Sequence, residues 1–165
     1  NLLDYVSFYT ILSNIFAAAL FLYVGVTLKS KYPEFVDFIL GASTTYMGLT
    51  ALGYWLLLRN EPVPIPWINI VLHLIMPIAV IAGWMIYKHH HTLKYSHALV
   101  WLIFPILYLI YALFRGIFTD WYAYPFLNPE KAGGPEGVFL NVLLLSTATF
   151  IIGIATIFIA NKLKR

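Results

Sequence analysis

The sequence predicts an all-α bundle of membrane-spanning helices. Of the 165 residues, 61% are hydrophobic and 10% are charged, whereas a soluble domain carries about 25% charged residues. Five apolar runs are each long enough to cross a hydrocarbon core of about 30 Å, which takes roughly 20 helical residues. Polar segments separate these runs, and three of the four contain proline. We therefore expect a polytopic bundle that forms a single transmembrane domain over residues 1–165.

The predicted spans, in chain order, are residues 5–28, 36–58, 67–87, 98–118 and 137–160. The first ends before Lys29 and the second before Arg59, because a charged side chain is costly inside a bilayer. Prolines at positions 62, 64 and 66 then make the next loop short and stiff.

Charged or turn-forming residues also follow the last three spans. The third ends before Lys88, and the fifth is followed closely by Lys162. The fourth leads into a long loop at residues 119–136, where Gly133 and Gly134 stand directly before a proline and break the helical pattern. Each span is therefore bounded by residues that do not continue an apolar helix.

The distribution of lysine and arginine predicts the orientation of the bundle. Alternation of the spans places three of these residues at one end, namely Arg59, Arg115 and Lys131. The other end holds seven, namely Lys29, Lys31, Lys88, Lys94, Lys162, Lys164 and Arg165. We expect the basic loops and the C-terminus to be cytoplasmic, in the cell membrane if the protein is bacterial. We also expect a sixth helix upstream of Asn1, which would place both termini inside.

Several classes of site are excluded by composition and motif. Cysteine is absent, which excludes disulfides, thiol catalysis and thiolate metal ligands. The sequence holds no phosphate-binding loop, dinucleotide fingerprint or His-Glu-x-x-His motif. Histidines at positions 89–91 and 97 invite a metal site, but Lys88 and Lys94 flank them without a nearby acidic residue, so we interpret this segment as a solvated loop. We predict no metal, no cofactor and no nucleic-acid partner.

Polar side chains gather in one layer of the membrane. At about 1.5 Å per residue, Thr10 and His73 each lie roughly 9 Å from the start of their helices, and Asn141 lies roughly 6 Å in. Arg115 lies near the end of its helix on the same side. Spacings of three and four place Asn14 on the face of Thr10. Four helices therefore carry polar groups into the same half of the bilayer, where such groups usually face the bundle interior.

Each of these residues also has a structural interpretation. Thr10 can bond a carbonyl one turn back, and Arg115 can extend to the interface. The asparagines at positions 14, 69 and 141 can bond between helices. His73 has only apolar neighbours in sequence, yet it can still be a buried structural histidine.

The polar layer also permits hydrolytic chemistry. A threonine hydroxyl is a weak nucleophile that needs a base, and histidine is the usual one. If their faces meet, Thr10 attacks an ester carbonyl while His73 takes its proton. Arg115 can hold a substrate carboxylate. The amides that can donate to the oxyanion are those of Asn14, Asn69 and Asn141.

Three strings resemble the bacterial branch of the androgen-induced gene product family of membrane threonine hydrolases. They are residues 8–14 (FYTILSN), the pair Leu72–His73 followed by Met76–Pro77, and residues 121–127 (WYAYPFL). The resemblance implies a six-helix enzyme that cleaves fatty acid esters of hydroxy fatty acids, with Thr10 as nucleophile and His73 as the catalytic histidine. It assigns Tyr124, in the aromatic loop above the polar layer, to substrate binding.

Two other functions are compatible with the pattern. A non-catalytic transporter, or a protein that binds lipids or small molecules, would need a polar path through the membrane. Ser43, Thr44 and Thr45 in the second span, together with its glycines, are the residues that fit such a path. A purely structural membrane subunit would have no pocket around His73.

Overall fold

The computed structural model describes residues 2–29 and 31–164. These residues form an all-α bundle that contains five helices long and apolar enough to cross a membrane. The five spans are Tyr9–Thr27, Glu34–Leu58, Pro66–Ile86, His97–Thr119 and Pro135–Leu163. The predicted fold class is confirmed, and the chain has the architecture of a multi-pass integral membrane protein.

Three of the spans depart from a continuous α-helix. The second continues from an α-helix, Glu34–Gly53, into a π-helix, Tyr54–Leu58. The third consists of an α-helix, a π-helix and a second α-helix, at Pro66–Ile70, Val71–Ile75 and Met76–Ile86. The fourth consists of His97–Trp101 and Ile103–Thr119. Three short helical elements lie outside the spans, at Leu2–Val6, Pro125–Leu127 and Pro129–Ala132.

The predicted start of the first span is wrong. A short helix, Leu2–Val6, ends before the span begins at Tyr9. At the break, the Tyr108 hydroxyl donates to the Ser7 carbonyl at 3.0 Å. The Ser7 hydroxyl donates to the Leu3 carbonyl at 2.6 Å. A contact with a distant helix therefore satisfies a backbone group that a continuous helix would use, and hydropathy alone does not reveal such a contact.

The second span is the centre of the bundle. In its most apolar window 67% of the residues are buried, compared with 17–33% in the other four spans. Its small side chains allow close approach, as is typical of membrane helices. A Cβ on Gly41 would lie 2.6 Å from the Trp101 ring, and one on Gly48 would lie 3.1 Å from Ile152. The buried Ser43, Thr44 and Thr45 lie on the same helix. These contacts support the interpretation of the small residues as close packing.

The interpretation of the histidine segment as a solvated loop is wrong for two of its members. His89 is 0% exposed, and its Nε2 lies 3.0 Å from the Trp84 carbonyl. Fully buried Asp37 accepts hydrogen bonds from the His91 backbone at 3.0 Å and from its Nδ1 at 2.6 Å. The acid that the local sequence lacks comes from the start of the second span. Within residues 2–29 and 31–164, no group of three or more His, Cys, Asp or Glu side chains is arranged to hold a metal ion.

Candidate active site

Thr10 and His73 lie in hydrogen-bond contact between the first and third spans. The Thr10 Oγ1 is 3.1 Å from the His73 Nε2, and Thr10 is 6% exposed. The other ring nitrogen, Nδ1, lies 3.1 Å from the Asn69 carbonyl oxygen, which can only accept. Nδ1 therefore carries the proton in the neutral ring, and Nε2 accepts from the Thr10 hydroxyl. The Thr10 hydroxyl therefore donates its proton toward an unprotonated nitrogen, as a nucleophile does toward a general base.

Two π-helical turns meet at the site. His73 lies in the π-helix Val71–Ile75, and Tyr54 begins the π-helix Tyr54–Leu58. The two rings stack, with centroids 4.5 Å apart and planes 25° from parallel. Single π turns inside α-helices are often found at functional sites. Here each π turn carries one of two aromatic side chains that pack together beside Thr10.

Tyr124 brings a second hydroxyl to Thr10. Its oxygen is 3.2 Å from the Thr10 backbone nitrogen, which donates, and 3.2 Å from the Thr10 Oγ1. Burial raises the pKa of Tyr124, so the phenol keeps its proton at neutral pH. Its ring packs edge-on against Phe8 at 5.6 Å and stacks on Phe126 at 5.0 Å. The aromatic loop therefore places a neutral hydroxyl beside the threonine, as expected for a loop that caps the polar layer.

The Asn14 amide donates to two carbonyl groups of the protein, and its assignment as an oxyanion donor stays a prediction. The Nδ2 donates to the Thr10 carbonyl at 2.7 Å and to the Leu72 carbonyl at 3.3 Å. An amide nitrogen has two protons to donate, and both are used. Asn14 instead ties the first span to the third span, next to His73.

The other two amides are also bonded within the protein. The Asn69 Nδ2 donates to the Tyr54 hydroxyl at 2.8 Å, and Asn69 lines the cavity near His73. The Asn141 Nδ2 donates to the Phe126 carbonyl at 3.0 Å. Asn69 therefore orients the two stacked rings, and Asn141 holds the aromatic loop on the fifth span. One amide proton of Asn141 therefore goes to the loop, and its assignment as an oxyanion donor stays a prediction.

Arg115 is not brought to Thr10. Its guanidinium pairs with the Asp4 carboxylate and lies 4.0 Å above the Trp121 ring. The hydrogen bond from Arg115 lowers the pKa of Asp4. In this structure the Arg115 guanidinium therefore binds a carboxylate of the protein itself, where the sequence predicts a substrate carboxylate. This pair joins the N-terminal helix to the fourth span.

Two cavities meet at Thr10. The larger, of about 490 Å³, runs from the loop at residues 61–65 to His73 and is bounded by the loop at 123–125. A narrower cavity, of about 50 Å³, lies on the other side and reaches Thr149 in the fifth span. The residues that line both are Thr10, Tyr54, Leu58 and Tyr124. The larger volume falls within the range typical of small-molecule sites, about 300–1,000 Å³.

Sequence reasoning missed Tyr54 and did not assign Tyr108 to the site. Tyr54 stands beside Trp55 near the end of a span, where aromatic residues are common because they favour the membrane interface. Tyr108 lies on the same helix as Arg115, and its ring lies 6.5 Å from that of Tyr124. No feature of either position in the sequence separates it from an ordinary interfacial tyrosine.

Comparisons with known proteins assign no family to the chain. No family model matches the sequence, and no characterised protein or solved structure is similar to it. The resemblance carried by residues 8–14, 72–77 and 121–127 therefore stays an expectation. Function has to be argued from the groups in the site, because a helical bundle serves many activities.

Proposed function

We propose that the protein is an intramembrane hydrolase that cleaves fatty-acyl esters, with Thr10 as nucleophile and His73 as general base. The observation that carries the proposal is the 3.1 Å contact between the Thr10 Oγ1 and the His73 Nε2, with the Nδ1 anchored on the Asn69 carbonyl. A nucleophile, a base within reach and a group that orients the base are the parts that hydroxyl catalysis requires.

The reaction proceeds through an acyl-enzyme. The Thr10 Oγ1 attacks the ester carbonyl carbon as the His73 Nε2 takes the hydroxyl proton. The tetrahedral intermediate collapses, the bond to the alcohol oxygen breaks, and the imidazolium gives its proton to that oxygen. Water, deprotonated by the same nitrogen, then attacks the acyl-enzyme and releases the fatty acid with regeneration of the Thr10 hydroxyl.

Tyr124 is suited to stabilise the oxyanion. Its hydroxyl accepts the Thr10 backbone N–H, and because the Thr10 hydroxyl donates to His73, the Tyr124 proton is directed toward the Oγ1. The Thr10 Oγ1 attacks the carbonyl carbon, and the negative charge forms on the carbonyl oxygen bonded to that carbon. The Tyr124 hydroxyl, 3.2 Å from the Oγ1, is within reach of this oxygen. Tyr124 takes the role that the sequence pattern assigned to the asparagines.

The cavity favours a lipid substrate. Its apolar lining includes Phe8, Ile11, Ile65, Ile68 and Leu72. Such walls bind acyl chains through apolar burial, at about 25 cal/mol per Å². The resemblance makes fatty acid esters of hydroxy fatty acids the first substrates to test. With the basic loops and the C-terminus in the cytoplasm of a bacterial cell, the site would lie in the outer half of the cell membrane.

Substitution at the two reacting residues tests the proposal. We expect Thr10→Ala and His73→Ala each to reduce hydrolysis of a long-chain ester by at least about 10³-fold. The first removes the nucleophile and the second removes the general base, and no other residue of the site replaces either group. Thr10→Ser should retain part of the activity. Thr27→Ala, on the same helix and bonded only to the Tyr23 carbonyl and Tyr32 hydroxyl, is the matched control.

Chemical labelling gives an independent measurement. A fluorophosphonate probe should label the wild-type protein and fail to label the Thr10→Ala variant, with unfolding temperatures showing that both are folded. Full hydrolysis by the Thr10→Ala protein would rule out the proposed nucleophile. Solute flux in proteoliposomes without hydrolysis would favour a transporter instead.

A further inference from the structure

A third cavity, of about 310 Å³, lies at the end of the bundle opposite the Thr10 site. Lys29 and Lys88 line it from the ends of the first and third spans, together with His90 and Tyr32. No aspartate or glutamate is among its lining residues. Within residues 2–29 and 31–164, neither lysine side chain takes part in a hydrogen bond or ion pair. The cavity therefore combines two cationic groups that have no counter-charge.

The wall of this cavity is fixed by backbone and side-chain bonds. Leu28 adopts a left-handed conformation, with φ of 40°, and ends the first span. The Tyr32 hydroxyl donates to the Val24 carbonyl at 2.8 Å and accepts the Lys29 backbone N–H at 3.1 Å. The turn that carries Lys29 is therefore held against the helix end. Its position beside Lys88 is a property of the fold.

Buried Asp37 lies on the second span at the same end of the bundle and is bonded to His91. The Asp37 Oδ2 accepts two hydrogen bonds from His91, and the carboxylate is fully buried. Among residues 2–29 and 31–164, this end of the bundle holds six of the chain's ten lysines and arginines. An anion that enters the cavity therefore meets a net positive field, which raises its local concentration.

We propose that the cavity binds the phosphate of an anionic phospholipid. Basic pockets between helices at a membrane surface bind lipid headgroups, and each lysine near the surface adds favourable energy. The membrane location argues for a lipid as the source of the phosphate. Leu28, at the cavity wall, is 81% exposed. Its side chain offers an apolar surface to an acyl chain of a lipid whose headgroup lies between Lys29 and Lys88.

Paired charge substitutions test this site without reference to hydrolysis. Binding of phosphatidylglycerol and of phosphatidylcholine to the detergent-solubilised protein is measured by native mass spectrometry. The Lys29→Gln/Lys88→Gln variant should lose roughly tenfold or more in affinity for phosphatidylglycerol. The Lys31→Gln/Lys94→Gln variant removes the same charge from the same end, outside the cavity, and should lose less than about twofold.

Three outcomes would overturn the proposal. Equal losses in the two double variants would mean that diffuse charge attracts the lipid. Equal affinity of the wild-type protein for phosphatidylcholine would mean that the anionic headgroup is not recognised. Inorganic phosphate that displaces phosphatidylglycerol at equal concentration would identify the ligand as the free anion.

Discussion

Thr10 bonds polar side chains through its hydroxyl, its backbone nitrogen and its carbonyl. Its Oγ1 faces the His73 Nε2, its backbone nitrogen donates to Tyr124, and its carbonyl accepts from Asn14. The threonine is therefore held on both its backbone and its side chain. Because a misplacement of about 1 Å can cost about 10²-fold in rate, this restraint matters as much as the nature of the nucleophile.

Tyr124→Phe is the sharpest test at the residue scale. The substitution keeps the ring that packs on Phe8 and Phe126 and removes only the hydroxyl. If that hydroxyl stabilises the oxyanion, kcat should fall by about 10²-fold or more while KM changes little. The measurement is steady-state hydrolysis of a fatty-acyl ester.

A control separates catalysis from placement of the backbone. Tyr111→Phe removes a hydroxyl that bonds to Ser7, outside the site, at 2.7 Å. It should leave kcat within about threefold. An unchanged kcat in Tyr124→Phe, with the fold intact, would remove Tyr124 from the proposed mechanism.

At the scale of the elements, the π turns set the phase of the second and third spans. A π turn adds one residue, which rotates all later side chains by roughly 100° about the helix axis. In the third span, Met76 donates its backbone N–H to the Val71 carbonyl, five residues earlier. His73 lies inside this turn, and its ring bonds the Asn69 carbonyl. Its direction therefore depends on a departure from α-helical geometry.

The loop between the third and fourth spans is held by part-buried polar contacts near its middle. Asn161 accepts the Leu93 backbone N–H at 2.8 Å and donates to the Leu93 carbonyl at 2.9 Å. Asp37 accepts two bonds from His91. The second and fifth spans thus fix a segment whose own sequence is that of an exposed loop.

His89 should make folding stability depend on pH. Burial lowers the pKa of His89, and the Trp84 carbonyl and Asp37 carboxylate oppose this effect without overcoming it. At pH values between the lowered pKa of folded His89 and the ordinary histidine pKa of about 6.5, the unfolded chain binds a proton that the folded chain does not. The stabilisation is therefore complete above about pH 6.5 and is lost as the pH falls toward the folded value.

Thermal unfolding in detergent at about pH 7.5 and about pH 5.5 checks this dependence. The wild-type protein should lose more stability over this range than His89→Gln, which has no titrating ring. His90→Gln replaces the half-buried neighbour, which has no hydrogen bond within the described residues, and should keep the wild-type slope. Identical slopes for wild type and His89→Gln would show that His89 does not titrate with folding.

At the scale of the whole molecule, charge is distributed unequally between the two ends. The end with the Thr10 site carries three basic residues, and the opposite end carries seven. From this asymmetry, the positive-inside bias predicts that the basic end lies in the cytoplasm. The proposed active site and the proposed lipid site would face opposite leaflets.

Single cysteines test this orientation, because the chain contains no cysteine of its own. Lys94→Cys lies in a loop at the basic end, and Lys131→Cys lies in a helix at the other end. In intact cells, a membrane-impermeant maleimide should label the second variant and not the first. Inverted vesicles should give the opposite result. Labelling of Lys94→Cys in intact cells would reverse the assigned orientation.

The sequence alone determined the fold class, the five spans and the depth of the polar layer. These properties follow from hydropathy and from the fixed rise of about 1.5 Å per residue, both of which are local. For this reason the sequence predicts the same depth for Thr10 and His73, which are in contact in the structure. The ends of the spans in the structure differ from the predicted ends by a few residues. The first predicted span is also interrupted at Ser7 and Phe8, between two separate helices.

The tertiary structure decided which polar groups meet. Rotation about a helix axis accumulates with every residue, and a π turn changes it, so depth does not specify direction. The packing of the second span against its neighbours turned Tyr54 onto His73 and buried Asp37 beside His91. Hydrogen bonds over long sequence distances then engaged Asn14 and Arg115 elsewhere and left Tyr124 as the donor at Thr10, because pairing with a distant partner is not encoded in local hydropathy.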